Sequence, residues 1–184
     1  MTKAFVLIKV KSGTEEAQFD ALFTVPEVLE VHAITGDYDL MAVMSAKEED
    51  LARYPNEKIV EALSQKIRKM ENVLDTKTMI PISSEIKRSS EFDFGEYARG
   101  FVLLKVKPGR ERHFITEVLK INEVIETHMI TGSYDILAIL EVKKPLLYPH
   151  YPEVIASIVT DKIRRIRDMR DSETIIPDLS RAKT

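Results

Sequence analysis

The chain repeats itself. Displaced by 96 positions, FVLIKVKSG from Phe5 falls on FVLLKVKPG from Phe101. The same displacement lays EVLEVHAITGDYDLMAV from Glu27 on EVIETHMITGSYDILAI from Glu123, and Lys66-Ile67-Arg68 on Lys162-Ile163-Arg164. About 30 of roughly 80 paired positions are identical, and one displacement serves throughout, which is the signature of a duplicated domain rather than a solenoid. The expected boundaries are a first copy over 1–82, a linker over 83–99 and a second copy over 100–184. The linker, beginning SSEIKRSSEFDFGEY, is polar and lacks clean periodicity, although Phe92, Phe94 and Tyr97 suggest that part of it lies against a domain.

Each copy reads as βαββαβ. A β-branched run over 5–11 ends at Ser12-Gly13 and predicts a strand. Thr14-Glu15-Glu16 offers a capping hydroxyl and first-turn acids, followed by Phe19, Leu22 and Phe23 at helical spacing. Strands follow over 28–35 and 38–45, with Gly36-Asp37 between them as a two-residue hairpin loop, matched by Gly132-Ser133. Asn56 is expected to cap a helix carrying Ile59, Ala62, Leu63, Ile67 and Met70, and a last strand covers 73–80. The fold class is α+β: two ferredoxin-like domains, each a four-stranded sheet with helices on one face. The second faces, carrying Ile34, Met41, Val43, Ile130, Leu137 and Ile139, are expected to pack face to face as in a dimeric α+β barrel.

Composition excludes several classes. The 184 residues contain no Cys, so disulfides, thiolate metal sites and a cysteine nucleophile are ruled out. No apolar run approaches the roughly 18 residues of a membrane span, and the charged start does not resemble a signal peptide, which points to a cytoplasmic protein. The net charge of −3 argues against a general nucleic-acid coat. The basic helix ends (Lys66, Arg68, Lys69; Lys162, Arg164, Arg165, Arg167, Arg170) read as cations at helix C-termini, with no direct nucleic-acid contact expected.

The hairpin assigns side chains to faces. With Ala33 opposite Leu40 and His32 opposite Met41, one face carries Leu29, Val31, Ala33, Leu40, Ala42 and Met44, and is the helix side. The other carries Glu30, His32, Ile34, Asp39, Met41 and Val43, reproduced by Glu126, His128, Ile130, Asp135, Leu137 and Ile139. His32 and Asp39 are diagonal neighbours on this face, as are His128 and Asp135, and read as satisfied polar pairs buried between sheets, with Glu30 and Glu126 close by and Lys9 and Lys105 as candidate salt partners. A metal, haem or acid–base role is the sharper alternative, although no third ligand at metal spacing follows. The turns read first as local backbone chemistry, with glycine supplying the positive φ, and only second as exposed donors and acceptors for a ligand. The Tyr54-Pro55 and Tyr148-Pro149-His150-Tyr151-Pro152 segments read as proline-stiffened connectors.

The motif V-H-A-I-T-G-D-Y-D-L-M-A-V (from Val31) and its echo T-H-M-I-T-G-S-Y-D-I-L-A-I (from Thr127) resemble the effector-binding, or RAM, domain of the Lrp/AsnC transcriptional regulators. The resemblance implies amino-acid binding at Gly36, Asp37, Tyr38, Asp39, Gly132, Ser133, Tyr134 and Asp135. It also implies a homo-oligomer, no enzymatic activity, and no cofactor or metal. Family members usually carry a helix-turn-helix domain before this one; a first strand beginning by Phe5 leaves no room for it, so a stand-alone tandem module is expected. The alternatives are a dimeric α+β barrel enzyme, such as a small monooxygenase or haem protein using His32 or His128, or an assembly partner of full-length Lrp/AsnC regulators.

Overall fold

The computed structural model describes residues 2–46, 55–87, 96–144 and 150–183. The chain divides into unit 1 (Met1–Ile80 with Pro177–Thr184) and unit 2 (Pro81–Ile176). Each unit is a five-stranded antiparallel sheet with two helices, so the ferredoxin-like expectation holds and one strand per unit is added to it.

In unit 1 the elements are β1 (Thr2–Val10), α1 (Glu15–Thr24), β2 (Val28–Ala33), β3 (Leu40–Ala46), α2 (Pro55–Gln65) and β4 (Val73–Met79). Unit 2 is built from β5 (Ser83–Ile86), β6 (Tyr97–Val106), α3 (Glu111–Leu119), β7 (Val124–Met129), β8 (Ile136–Lys143), α4 (Tyr151–Ile158) and β9 (Met169–Ile175). The final strand, β10 (Leu179–Ala182), returns to unit 1. The strand orders are β10-β2-β3-β1-β4 and β5-β7-β8-β6-β9. The extra strand of each sheet therefore comes from the segment that follows the other repeat. Residues 83–86, read from the sequence as linker, are a paired strand; Tyr97 begins β6, and Phe92 and Phe94 lie outside the described residues.

Register follows the hairpin expectation near the turn and departs from it at the far end. Ala33 pairs with Leu40 and His32 with Met41, but the pairing shifts between Val28 and Glu30. A bulge there inserts Leu29 as the extra residue, so fully buried Val28 joins the helix-side core in its place. That core contains Val6, Ile8, Phe19, Leu22, Val31, Leu40, Ile59 and Ile67; its counterpart is built on Val102, Phe114, Val124 and Ile163. Phe5, Leu7, Met41 and Val43 are buried on the second face.

Two local expectations change. Thr14 takes the N-cap position of α1, but its hydroxyl donates back to the Lys11 carbonyl (2.6 Å) rather than capping the helix. Helix α2 begins at Pro55, whose fixed φ and missing N–H suit a first turn, so Asn56 lies inside the helix instead of capping it. Tyr54, Tyr148 and Pro149 fall outside the described residues, and Tyr151-Pro152 opens α4.

Candidate functional site

Two constellations recur in each unit: the hairpin rim after β2 or β7, and a buried histidine on the same strand. At the rim of unit 1, the Ile34 N–H donates to the Asp39 carbonyl (2.9 Å) and closes a loop over 35–38. The loop is thus wider than the two residues expected. Gly36 takes φ +125° and Gly132 φ +127°, a region that side chains strain to enter. A Cβ at either glycine would meet nothing within 4 Å, so conformation rather than close approach selects the residue. Thr35, Gly36 and Asp37 are exposed, as are Thr131, Gly132 and Ser133.

The second aspartate of each motif supports the turn. Asp39 N–H donates to the Ile8 carbonyl (3.1 Å), and Asp39 Oδ2 accepts the Val10 N–H (2.8 Å) where the β1–β4 register shifts. Asp135 repeats both bonds with Leu104 (2.9 Å) and Val106 (2.9 Å). A bulge leaves an N–H without a ladder partner, and these carboxylates supply one. Tyr38 donates its hydroxyl to Asp75 Oδ2 (3.4 Å). Burial, the hydrogen bond to Glu173 and the negative charges of Glu173 and Asp171 push the Tyr134 hydroxyl up to about 12. The copies differ at this point, because Lys77 occupies the position of Glu173.

His32 and His128 are fully buried. Glu30 and His32, two apart on one strand, share a face, and His32 Nε2 lies 3.1 Å from Glu30 Oε2. His32 Nδ1 lies 2.8 Å from Ser180 Oγ on β10. His128 repeats both distances with Glu126 Oε2 (3.1 Å) and Ser84 Oγ on β5 (2.8 Å). A carboxylate only accepts, so Nε2 donates to glutamate; in the neutral ring, Nδ1 then accepts the serine hydroxyl. Both ring nitrogens are engaged by glutamate and serine, not by the diagonal Asp39 or Asp135 expected from the hairpin, whose Oδ2 atoms hold the Val10 and Val106 N–H instead. Exposed Lys9 and Lys105 were candidate partners for these groups; the serines hold the second ring nitrogen instead.

The serines were missed from the sequence, although a signal was there. The 96-residue displacement runs on past Pro81 and Pro177 to place Ser84 on Ser180 and Lys87 on Lys183. Those lysines also act alike: Lys183 Nζ donates to the Val25 carbonyl (2.5 Å) and Lys87 Nζ to the Ile121 carbonyl (3.0 Å). Among the described residues, no group of three or more His, Asp or Glu could hold a metal ion, and no helix is long and apolar enough to cross a membrane.

The model of the Lrp/AsnC ligand-binding domain matches residues 3–91 and again 99–177. The chain belongs to that family. A curated relative, the HTH-type transcriptional regulator FL11 of Pyrococcus furiosus, is 40% identical over 47 residues, which is 26% of this chain and 31% of that regulator. The chain thus spans about a third of the length of the curated relative it matches. Among solved structures, the siroheme decarboxylase NirDL aligns with a TM-score of 0.68 at 12% identity, over 97% of this chain and 71% of its own. A putative monooxygenase from Lactobacillus acidophilus NCFM aligns with a TM-score of 0.50 at 10% identity, over 98% and 95%. At those identities the likeness is one of fold. Each Lrp/AsnC domain here carries one hairpin rim and one Ser–His–Glu chain.

Proposed function

We propose that the two Lrp/AsnC domains form a non-enzymatic regulatory module that binds an amino acid at the hairpin rims and answers by changing its assembly. The observation that carries this reading is the family match over both repeats, each with the same T-G-x-Y-D turn in the same backbone geometry. An amino acid needs donors for its carboxylate and acceptors for its ammonium, and exposed turn amides with Asp37 or Ser133 offer both. Because Asp39 and Asp135 each give one oxygen to a backbone N–H, their part is to set the turn rather than to serve as the main ligand contact. The assembly is a homo-oligomer, with RAM-bearing regulators as further partners.

The enzyme reading has a likeness of fold behind it, but iron ligation by His32 or His128 would first have to break a serine or glutamate bond. Calorimetric titration of the full chain with each of the twenty amino acids tests the proposal. Saturable heat from one or a few is expected, weakened by Gly132→Val, since a β-branched residue cannot follow φ +127°. No heat at millimolar concentration would overturn effector binding and favour an assembly partner; a Soret band in protein from its own host would favour the enzyme.

A further inference from the structure

The two units differ in charge at one end of the sheet. In unit 2 the loop between β6 and α3 meets the turn before β9: Lys107 N–H donates to the Asp168 carbonyl (2.9 Å), and Arg110 Nε to Asp168 Oδ2 (3.0 Å). These contacts tie Lys107 and Arg110 to the segment that carries Arg164, Arg165, Arg167 and Arg170, and all six are exposed. The equivalent positions of unit 1 are Lys11, Thr14, Arg68, Lys69, Glu71 and Leu74. Six cations with Asp161 and Asp168 in one unit, net +4, thus stand where the other has three cations with Glu71, Gln65 and Asn72, net +2.

The backbone is also different there. After α2 the chain makes a 3₁₀ turn (Ile67–Lys69), whereas after α4 it makes a π turn (Val159–Ile163), closed by the Arg164 N–H on the Val159 carbonyl (2.8 Å). Asp168, between Arg167 and Met169, takes φ +73°; among the described residues it alone enters that region without being glycine. Such irregularities are costly and concentrate at functional positions. Asp161 and Asp168 neutralise only part of the cluster, so the gathered charge repels itself in a chain whose net charge is −3.

We infer that this end of unit 2 binds the phosphate backbone of duplex nucleic acid, without reading its sequence. Five of the six cations are arginines, whose planar forks match phosphate oxygens in pairs. Among the described residues of this end, no large apolar side chain is exposed to anchor an acidic peptide, whereas Leu74 at the unit 1 end is 63% exposed. Among the described residues no exposed aromatic ring accompanies these cations, and half-buried Tyr134 at the adjoining rim is hydrogen-bonded to Glu173, which favours a duplex over a single strand. The inference departs from the expectation of no nucleic-acid contact, which took these cations for helix-end charges, and it stands independently of the effector site.

The test is fluorescence anisotropy of a labelled duplex of about 20 base pairs with the full chain and no amino acid present. For about four phosphate contacts, saturable binding near 50 mM salt should weaken by roughly 10²-fold at about 200 mM, and a scrambled duplex should bind equally. Arg167→Glu with Arg170→Glu should weaken binding by tenfold or more, while Lys69→Glu in unit 1 leaves it within about twofold. If the double reversal fails to fold, Arg167→Gln with Arg170→Gln serves, with a smaller loss. Absence of saturable binding at the lower salt, or equal loss on Lys69→Glu, overturns the inference. Poly-glutamate binding as tightly as the duplex also overturns it, and assigns the surface to an acidic protein.

Discussion

The strands β10 and β5 perform the same task in the two units with unequal means. Each adds to the outer edge of its sheet through four register pairs, β10 to β2 and β5 to β7. Each ends its ladder alike, with Lys183 N–H on the Leu29 carbonyl and Lys87 N–H on the Ile125 carbonyl (both 2.9 Å). Each also supplies one serine to a buried histidine and one lysine to a carbonyl at the end of the neighbouring helix. What β10 has in addition is Arg181, which pairs with Asp20 (2.8 Å) and stands over the rings of Phe19 (5.3 Å) and Phe23 (5.2 Å). Lys183 adds a contact over Phe23 at 5.5 Å. In unit 2 these positions are Glu85, Ile115, Leu119 and Thr116, which offer neither the cation nor the rings. The serine and lysine contacts are therefore what the fold requires of the strand, and the arginine is an addition that tightens one copy.

The harshest test removes β10. A chain ending at Ile176 leaves the β2 ladder open and the His32 ring without its serine, while β5 still completes unit 2. Losing several net hydrogen bonds and orphaning a buried group should cost unit 1 at least about 3 kcal/mol. Denaturant unfolding followed by hydrogen exchange should show β2 amides losing protection while those of β7 keep theirs. Equal loss in both sheets would mean that the strands do not act separately on the two units.

A gentler test isolates the shared contact. Ser180→Ala and Ser84→Ala each leave a buried imidazole nitrogen without its hydroxyl, which costs about 1–3 kcal/mol. The two costs should agree within about 0.5 kcal/mol, because the partners and the distances are the same in both units. A Ser180→Ala cost much below that of Ser84→Ala would show that Arg181 holds β10 in place without the serine.

Much of this could be read from the sequence, and the reasons for the misses are physical. The pairing of His32 with Met41 and the shared face of Glu30 and His32 followed from the hairpin, but nothing in the sequence chose Glu30 over the diagonal Asp39 as the partner of the ring. The extra strands did not announce themselves, because an edge strand buried on neither face carries no apolar alternation; all of Ser83–Ile86 is exposed. The bulge at Leu29 was hidden for a different reason: a run of apolar residues lets either Val28 or Leu29 serve as the core side chain, and only three-dimensional packing chooses. At the rims the turn glycines were legible, but the use of Asp39 to hold Val10 was not, since it depends on a register shift two strands away.

The mildest test addresses the addition itself. Arg181→Ala removes an exposed ion pair, whose side chains are 49% and 61% exposed, and two ring contacts. An exposed pair contributes about 0–1 kcal/mol and an exposed cation over a ring about 0.5–1 kcal/mol, so a total loss near 1 kcal/mol is expected, confined to unit 1. Raising the salt concentration should remove the part due to Asp20 and leave most of the ring part. The reciprocal change, Glu85→Arg on β5, should bring no gain, since Ile115 and Leu119 offer no ring to stand over. Native-state hydrogen exchange of β10 and β5 amides resolves differences of this size. If Arg181→Ala leaves β10 protection unchanged, the two strands are held by the serine and lysine alone, and their apparent inequality carries no energy.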